Sequence, residues 1–273
     1  MTKTYRETVT EWRIERDYGI RKENGWLSLA GLYWLKLGKN RLGSNPANEI
    51  YLPERTPTLM GTVEYNDKSV TLRTEGGRKV DVNGTPSEFA ILQPDISDNP
   101  SFITFNDIRL VVIQRGNRMG MRMWDNARTE RTTFPPRTWF EIDESFRFPA
   151  KYTAYPRPKT AFFPDLTGEK TESTVDGYLE FQYGGKTYKL DVTKEEENEL
   201  FVRFWDPTSD GETYPTGRYL VVNLTKDSQL FIDFNYSYCP PCAFTDFATC
   251  VFAPEQNHLD FEVRAGETYQ KQK

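Results

Sequence analysis

Two runs of alternating side chains, Gly177-Tyr178-Leu179-Glu180-Phe181-Gln182-Tyr183 and Thr187-Tyr188-Lys189-Leu190-Asp191-Val192, meet at Gly184-Gly185. A period of two puts the apolar set on one face of a strand, and a Gly-Gly pair supplies the positive φ of a tight turn. The region therefore reads as an antiparallel hairpin with one face in a core. The same logic applies to Thr62-Val63-Glu64-Tyr65, Ser69-Val70-Thr71-Leu72-Arg73 and Lys79-Val80-Asp81-Val82, separated by Asn66-Asp67 and Gly76-Gly77, which read as successive antiparallel strands. Ile108–Gln114 and Gly120–Trp124 form a further hairpin around Arg115-Gly116-Asn117-Arg118, and Trp26–Leu29 and Leu32–Leu35 open the meander. Strands are also expected at Leu200–Trp205, Tyr219–Leu224 and Leu230–Phe234.

Helical periodicity is confined to the start, where Val9 and Trp12 share a face between Tyr5 and Ile20. Aromatic residues make up 14% of the chain, a bias toward half-buried pleated surfaces. The fold class is mainly β: an N-terminal helix over 1–24, a sandwich-like unit over 25–130, and an antiparallel β unit over 161–273. Between them, 131–160 carries Pro135-Pro136, Phe148-Pro149 and Tyr155-Pro156-Arg157-Pro158, which reads as an ordered connector closed to central strands because proline donates nothing to a ladder.

The formal charge of −5 arises from 35 basic and 40 acidic residues without blocks of either sign, so no nucleic-acid partner is expected. No stretch approaches the roughly 20 apolar residues of a membrane span, and the first residues lack an apolar signal core. Three cysteines in an otherwise thiol-free chain point to free thiols in a reducing cytoplasm. Oligomeric state is not legible, and neither GxGxxG nor GxxxxGK[ST] occurs, so no nucleotide cofactor is implied.

All three cysteines fall in Asp233-Phe234-Asn235-Tyr236-Ser237-Tyr238-Cys239-Pro240-Pro241-Cys242-Ala243-Phe244-Thr245-Asp246-Phe247-Ala248-Thr249-Cys250. Cys239-x2-Cys242-x7-Cys250-x7-His258 contains the residue types of a tetrahedral zinc site. Its spacings are irregular and two prolines stiffen the first turn, so the set stands as a candidate while no metal or cofactor is predicted. A redox reading of Cys239-x-x-Cys242 lacks the helix N-terminus that such pairs use. Asp233 and Asn235, at alternate strand positions, would share a face, with Cys242 and Thr245 folded back toward it and Tyr214 and Arg218 approaching from the preceding loop and strand. Those residues could bind a small polar or anionic ligand, or serve an enzyme, hydrolase-like, with Cys242 or Asp233 as its reactive group. The structural alternative pairs Asp233 with Arg218, makes Asn235 a turn cap and packs the cysteines as small hydrophobes. A purely structural protein would need no ligand.

With Trp205–Tyr219, Gly25-Trp26-Leu27-Ser28 and Asn257-His258-Leu259, this segment resembles a bacterial and archaeal family whose function is unknown, over nearly the whole chain. That family usually has Asn where this chain has Cys239, so the resemblance implies no chemistry that needs Cys239. Leu42-Gly43-Ser44, Asn48-Glu49-Ile50-Tyr51-Leu52 and Val82-Asn83-Gly84 are similar to the skeleton of forkhead-associated phosphopeptide-binding sandwiches. Ser44 stands where those domains carry Arg, and Thr58 and Gly61 stand near the places of their Ser and His. The likeness implies a β-sandwich without the bidentate grip on phosphate.

Overall fold

The computed structural model describes residues 3–67, 69–166, 168, 170–224 and 229–270. The chain divides into two compact units, one of residues 21–134 and one that joins residues 1–20 to 135–273. Among the described residues no helix is long and apolar enough to cross a membrane. Strands dominate both units, and the single long helix is α1 (Tyr5–Arg21).

The unit of 21–134 is a sandwich of two sheets. After a 3-10 turn at Trp26–Ser28 come β1 (Leu29–Trp34), β2 (Gly38–Gly43), β3 (Ile50–Tyr51), β4 (Gly61–Asn66), β5 (Ser69–Thr74), β6 (Val80–Val82), β7 (Thr85–Ser87), β8 (Phe89–Leu92), β9 (Phe102–Phe105), β10 (Ile108–Arg115) and β11 (Arg118–Asp125). One sheet runs β1-β11-β10-β9-β6-β7, the other β3-β2-β4-β5-β8. Leu42, Val63 and Leu72 from the second sheet and Leu110, Val112 and Met121 from the first share one core.

Two local readings change. Trp26-Leu27-Ser28 is a 3-10 turn, not strand. Gly76-Gly77 makes no hairpin: both glycines have positive φ, but β5 pairs with β8 and β6 with β9 and β7, so this turn carries the chain from one sheet to the other. The tight hairpin is at Asn83-Gly84, both at positive φ, between Val82 and Thr85. There Asn83 also holds Phe102 N and the Pro100 carbonyl, and Ser44 hydroxyl donates to the Thr56 carbonyl, so both residues of the forkhead-like skeleton are spent on backbone.

A short helix, α2 (Glu130–Thr133), ends this unit. The second unit is built on β12 (Arg147–Pro164), β13 (Lys170–Tyr183), β14 (Lys186–Glu196), β15 (Glu199–Phe204), β16 (Arg218–Asn223) and β17 (Phe231–Asp233), in the order β16-β15-β14-β13-β12-β17. The sheet curls until it nearly closes, and Tyr219 and Tyr238 bridge on the β16 side. Its inner face is Leu179, Phe181, Leu190, Val202, Phe204 and Ile232, with Phe234 of the following turn packed against them. β13 and β14 turn through Gly184-Gly185 with Tyr183 opposite Lys186, as the alternation predicts.

Strand β12 corrects the reading of the proline-rich stretch, since it lies inside the sheet between β13 and β17. Pro156 and Pro158 fall in the register break between Ala154 and Lys159, outside the ladder. Ala150 N donates to Leu230 O, so Pro149 turns its missing donor to the opposite edge, where pairing with β13 begins only at Ala150. Pro149, Pro156 and Pro158 thus sit where no donor is needed.

Helix α1 buries little aliphatic surface, only Val9 and Ile20. Its attachment is aromatic and polar: the Trp12 ring lies 5.7 Å from Trp139 and 5.0 Å from Tyr236, and Arg13 donates to the Phe140 carbonyl.

Candidate functional site

Strand β17 ends at Asp233, whose carboxylate accepts from Asn235 N and so caps the 3-10 turn Phe234–Tyr236. Tyr5, on the first turn of α1, donates its hydroxyl to both carboxylate oxygens at 3.0 and 2.9 Å, and Arg147 Nε stands 3.7 Å away. Burial pushes the Asp233 carboxyl above its ordinary value against those hydrogen bonds, and burial beside that charge raises the Tyr5 phenol.

This carboxylate lines a cavity of about 590 Å3 together with Trp12, Arg16, Arg147, Tyr236, Tyr238 and the ends of β16 and β17. Arg16, one helical turn past Trp12, has its guanidinium 3.8 Å from the Tyr238 ring centroid, a cation–π distance. Its Nε is buried without a hydrogen-bond partner, and no carboxylate pairs with it among the described residues. Burial lowers its pKa, while guanidinium remains charged in proteins. Glu267, the acid that bears on it electrostatically, is bound in a buried two-pronged pair to Arg137.

The residues singled out from the sequence fall into separate groups: Asn235 Nδ2 donates to Asp233 Oδ1 at 3.1 Å, whereas Arg218 and the Tyr214–Cys242 pair lie elsewhere. Asp233 is on the cavity. Asn235 sits fully buried behind it and exchanges two hydrogen bonds with the Asp143 backbone, Nδ2 to O at 2.8 Å and N to Oδ1 at 3.0 Å. Arg218 does not meet Asp233: it is wholly buried, pairs with Asp206 at 2.9 Å, and donates to the carbonyls of Ala265 and Val263. Tyr214 belongs to another cluster, where its hydroxyl donates to the Cys242 carbonyl and it packs with Cys239, Cys242 and Cys250. Thr245 Oγ1 accepts from Phe247 N in the following turn.

The zinc set does not assemble, since among the described residues no three of His, Cys, Asp and Glu converge as ligands. Cys239 N donates to Glu267 and its thiol reaches the Thr268 carbonyl, whereas His258 stacks on Trp205 at 5.2 Å between ring centroids. Burial pushes the Cys239 thiol well up.

Sequence reasoning missed Tyr5, Arg16 and Arg147. An arginine four residues past Trp12 on the inner face of an amphipathic helix was the available signal, because such a face ordinarily carries apolar side chains. Arg147 was hidden in the stretch taken for a connector.

Fold and cavity together define a mainly-β protein in which a nearly closed sheet and an N-terminal helix line a space with aromatic rings, two arginines, Arg16 and Arg147, and two acids, Asp233 and Glu199. The chain belongs to the family described as "Protein of unknown function (DUF1684)", whose model matches residues 132–268. It is similar to an uncharacterised protein of Haloarcula marismortui solved by NMR, at 29% identity, over 51% of this chain and 79% of that one, with a TM-score of 0.42. No curated protein matches it.

Proposed function

We propose that this protein binds a small anionic molecule in the cavity beneath α1, with Arg16 as the partner of the anion. The observation that carries the reading is the half-buried Arg16, stacked on Tyr238 with its buried Nε unpartnered and with no carboxylate paired to it among the described residues. A buried charge is costly unless paired, and a ligand carboxylate or phosphate would complete the missing pair. Trp12, Phe231, Tyr236 and Tyr238 offer aromatic surface to an apolar ligand body. We place this activity in the cytoplasm, in keeping with three free cysteines.

The test is calorimetric titration of small carboxylates and phosphates, benzoate and inorganic phosphate first, into wild type and Arg16→Gln. A charge-assisted hydrogen bond contributes about 1.5–3 kcal/mol, so the variant is expected to bind at least roughly tenfold more weakly. Equal affinity in both proteins would remove Arg16 from the reading, and binding of none of the anions would favour a purely structural protein.

A second reading, an enzyme in the same cavity with Asp233 as proton acceptor, is favoured by the raised carboxyl that Tyr5 holds in place. It predicts turnover of a bound ester or phosphoester that is lost in Asp233→Asn while binding persists.

A further inference from the structure

The second feature of the fold that calls for a function is the thiol cluster, and its partners are not those adjacent in sequence. Cys239 points away, to Glu267 and Thr268. Cys242 and Cys250, separated by seven residues, are neighbours in space: Cys242 N donates to Cys250 Sγ at 3.2 Å. Both belong to one small buried cluster with Tyr214, and both thiols are free. Cys242 lies just within the surface, in a single 3-10 turn, Pro241–Ala243, rather than in a strand of the sheet.

We propose that Cys242 and Cys250 form a dithiol site that undergoes thiol–disulfide exchange with a low-molecular-weight disulfide. The Cys242 thiolate attacks one sulfur of the disulfide RS–SR, the S–S bond breaks, and RS⁻ leaves with a proton from solvent. Cys250 then loses its proton and attacks Cys242 Sγ, expelling the second RS⁻ and leaving a Cys242–Cys250 disulfide. Two cysteines are oxidised and one external disulfide is reduced to two thiols, so the electrons balance.

The order of attack follows from the surroundings. Hydrogen bonding from Cys250, with smaller help from Tyr214 and Thr216, holds the Cys242 thiol below its ordinary value. The same hydrogen bond and burial push Cys250 up, so Cys250 keeps its proton until the mixed disulfide has formed. Thr216 also lines a second cavity, of about 710 Å3, with Pro215, Phe252, Ala253 and His258, which brings solvent-accessible space close to the attacking thiol. Cys239, wholly enclosed and raised by burial beside Glu267, takes no part.

The experiment exposes reduced, folded protein to oxidised glutathione and maps the products by peptide mass spectrometry. Wild type is expected to lose two hydrogens between Cys242 and Cys250 while Cys239 stays free. Cys250→Ser should stop at glutathione on Cys242, and Cys242→Ser should give no adduct. Phenylarsine oxide, which bridges neighbouring thiols, gives a readout on wild type that needs no variant: it should bind stoichiometrically and protect both cysteines from glutathione. Thiols that react only after unfolding, or a glutathione adduct on Cys239, would overturn the proposal.

Discussion

Arg218→Met tests how the C-terminal unit is held together. Arg218 and Asp206 are both fully enclosed. The guanidinium gives one hydrogen bond to Asp206 Oδ1 at 2.9 Å and others to the carbonyls of Ala265 and Val263 at 2.5 and 2.8 Å. Asp206 Oδ2 is occupied by Thr208 Oγ1 and Val263 N, each at 2.8 Å. The pair therefore ties the start of β16 to the 3-10 turn Pro207–Asp210 and to the chain at 263–265. Methionine keeps the volume but leaves Asp206 an unpaired buried charge, a change that costs about 3–5 kcal/mol. For a unit of this size that corresponds to a fall of roughly 6–20 °C in melting temperature. Urea unfolding followed by tryptophan fluorescence measures the loss. Adding Asp206→Asn to Arg218→Met should recover part of it, because the amide still accepts hydrogen bonds and no charge is left behind. A loss below about 1 kcal/mol, the scale of an exposed ion pair, would refute the reasoning. So would a double variant no more stable than Arg218→Met, since the penalty would then not come from charge.

Two further outcomes follow from the cavity wall. Because burial raises the Asp233 carboxyl, the native state holds that proton more tightly than the unfolded chain. Its contribution is therefore most favourable below the unfolded carboxylate value and is lost as pH rises through the folded value. As pH rises above the ordinary carboxylate value, wild type should lose stability relative to Asp233→Asn in urea titrations, and a pH-independent difference would contradict the assignment. Asn235→Ala removes both hydrogen bonds to the Asp143 backbone and leaves that N–H and carbonyl unpaired, which should cost about 2–3 kcal/mol by thermal melting, whereas Asn235→Asp should retain the bond accepted from Asp143 N. An alanine variant as stable as wild type would mean that water replaces the amide.

The hairpins at Gly184-Gly185 and Gly116-Asn117 were readable because strand alternation and turn chemistry act within a dozen residues. Gly76-Gly77 shows the limit of the same rule: its glycines favour a turn, but whether the flanking strands pair depends on which sheet each joins. The prolines of β12 were misread for a related reason. Proline excludes a donor at one edge of one residue, and only the register shows that those edges need none. Identification of the cysteine segment and of Asp233 as candidates came from local composition. Their partners did not, since Cys242 meets Cys250 rather than Cys239, Arg218 meets Asp206 rather than Asp233, and Asp233 meets a tyrosine 228 positions earlier. By itself the sequence determined the helix, most of the strands and the hairpin turns at Gly184-Gly185 and Gly116-Asn117, each set by interactions between near neighbours. Tertiary structure alone decided which charged groups meet, Arg218 with Asp206 and Arg137 with Glu267 while Arg16 stacks on Tyr238, because pairing is a property of distance in space that chain separation does not encode.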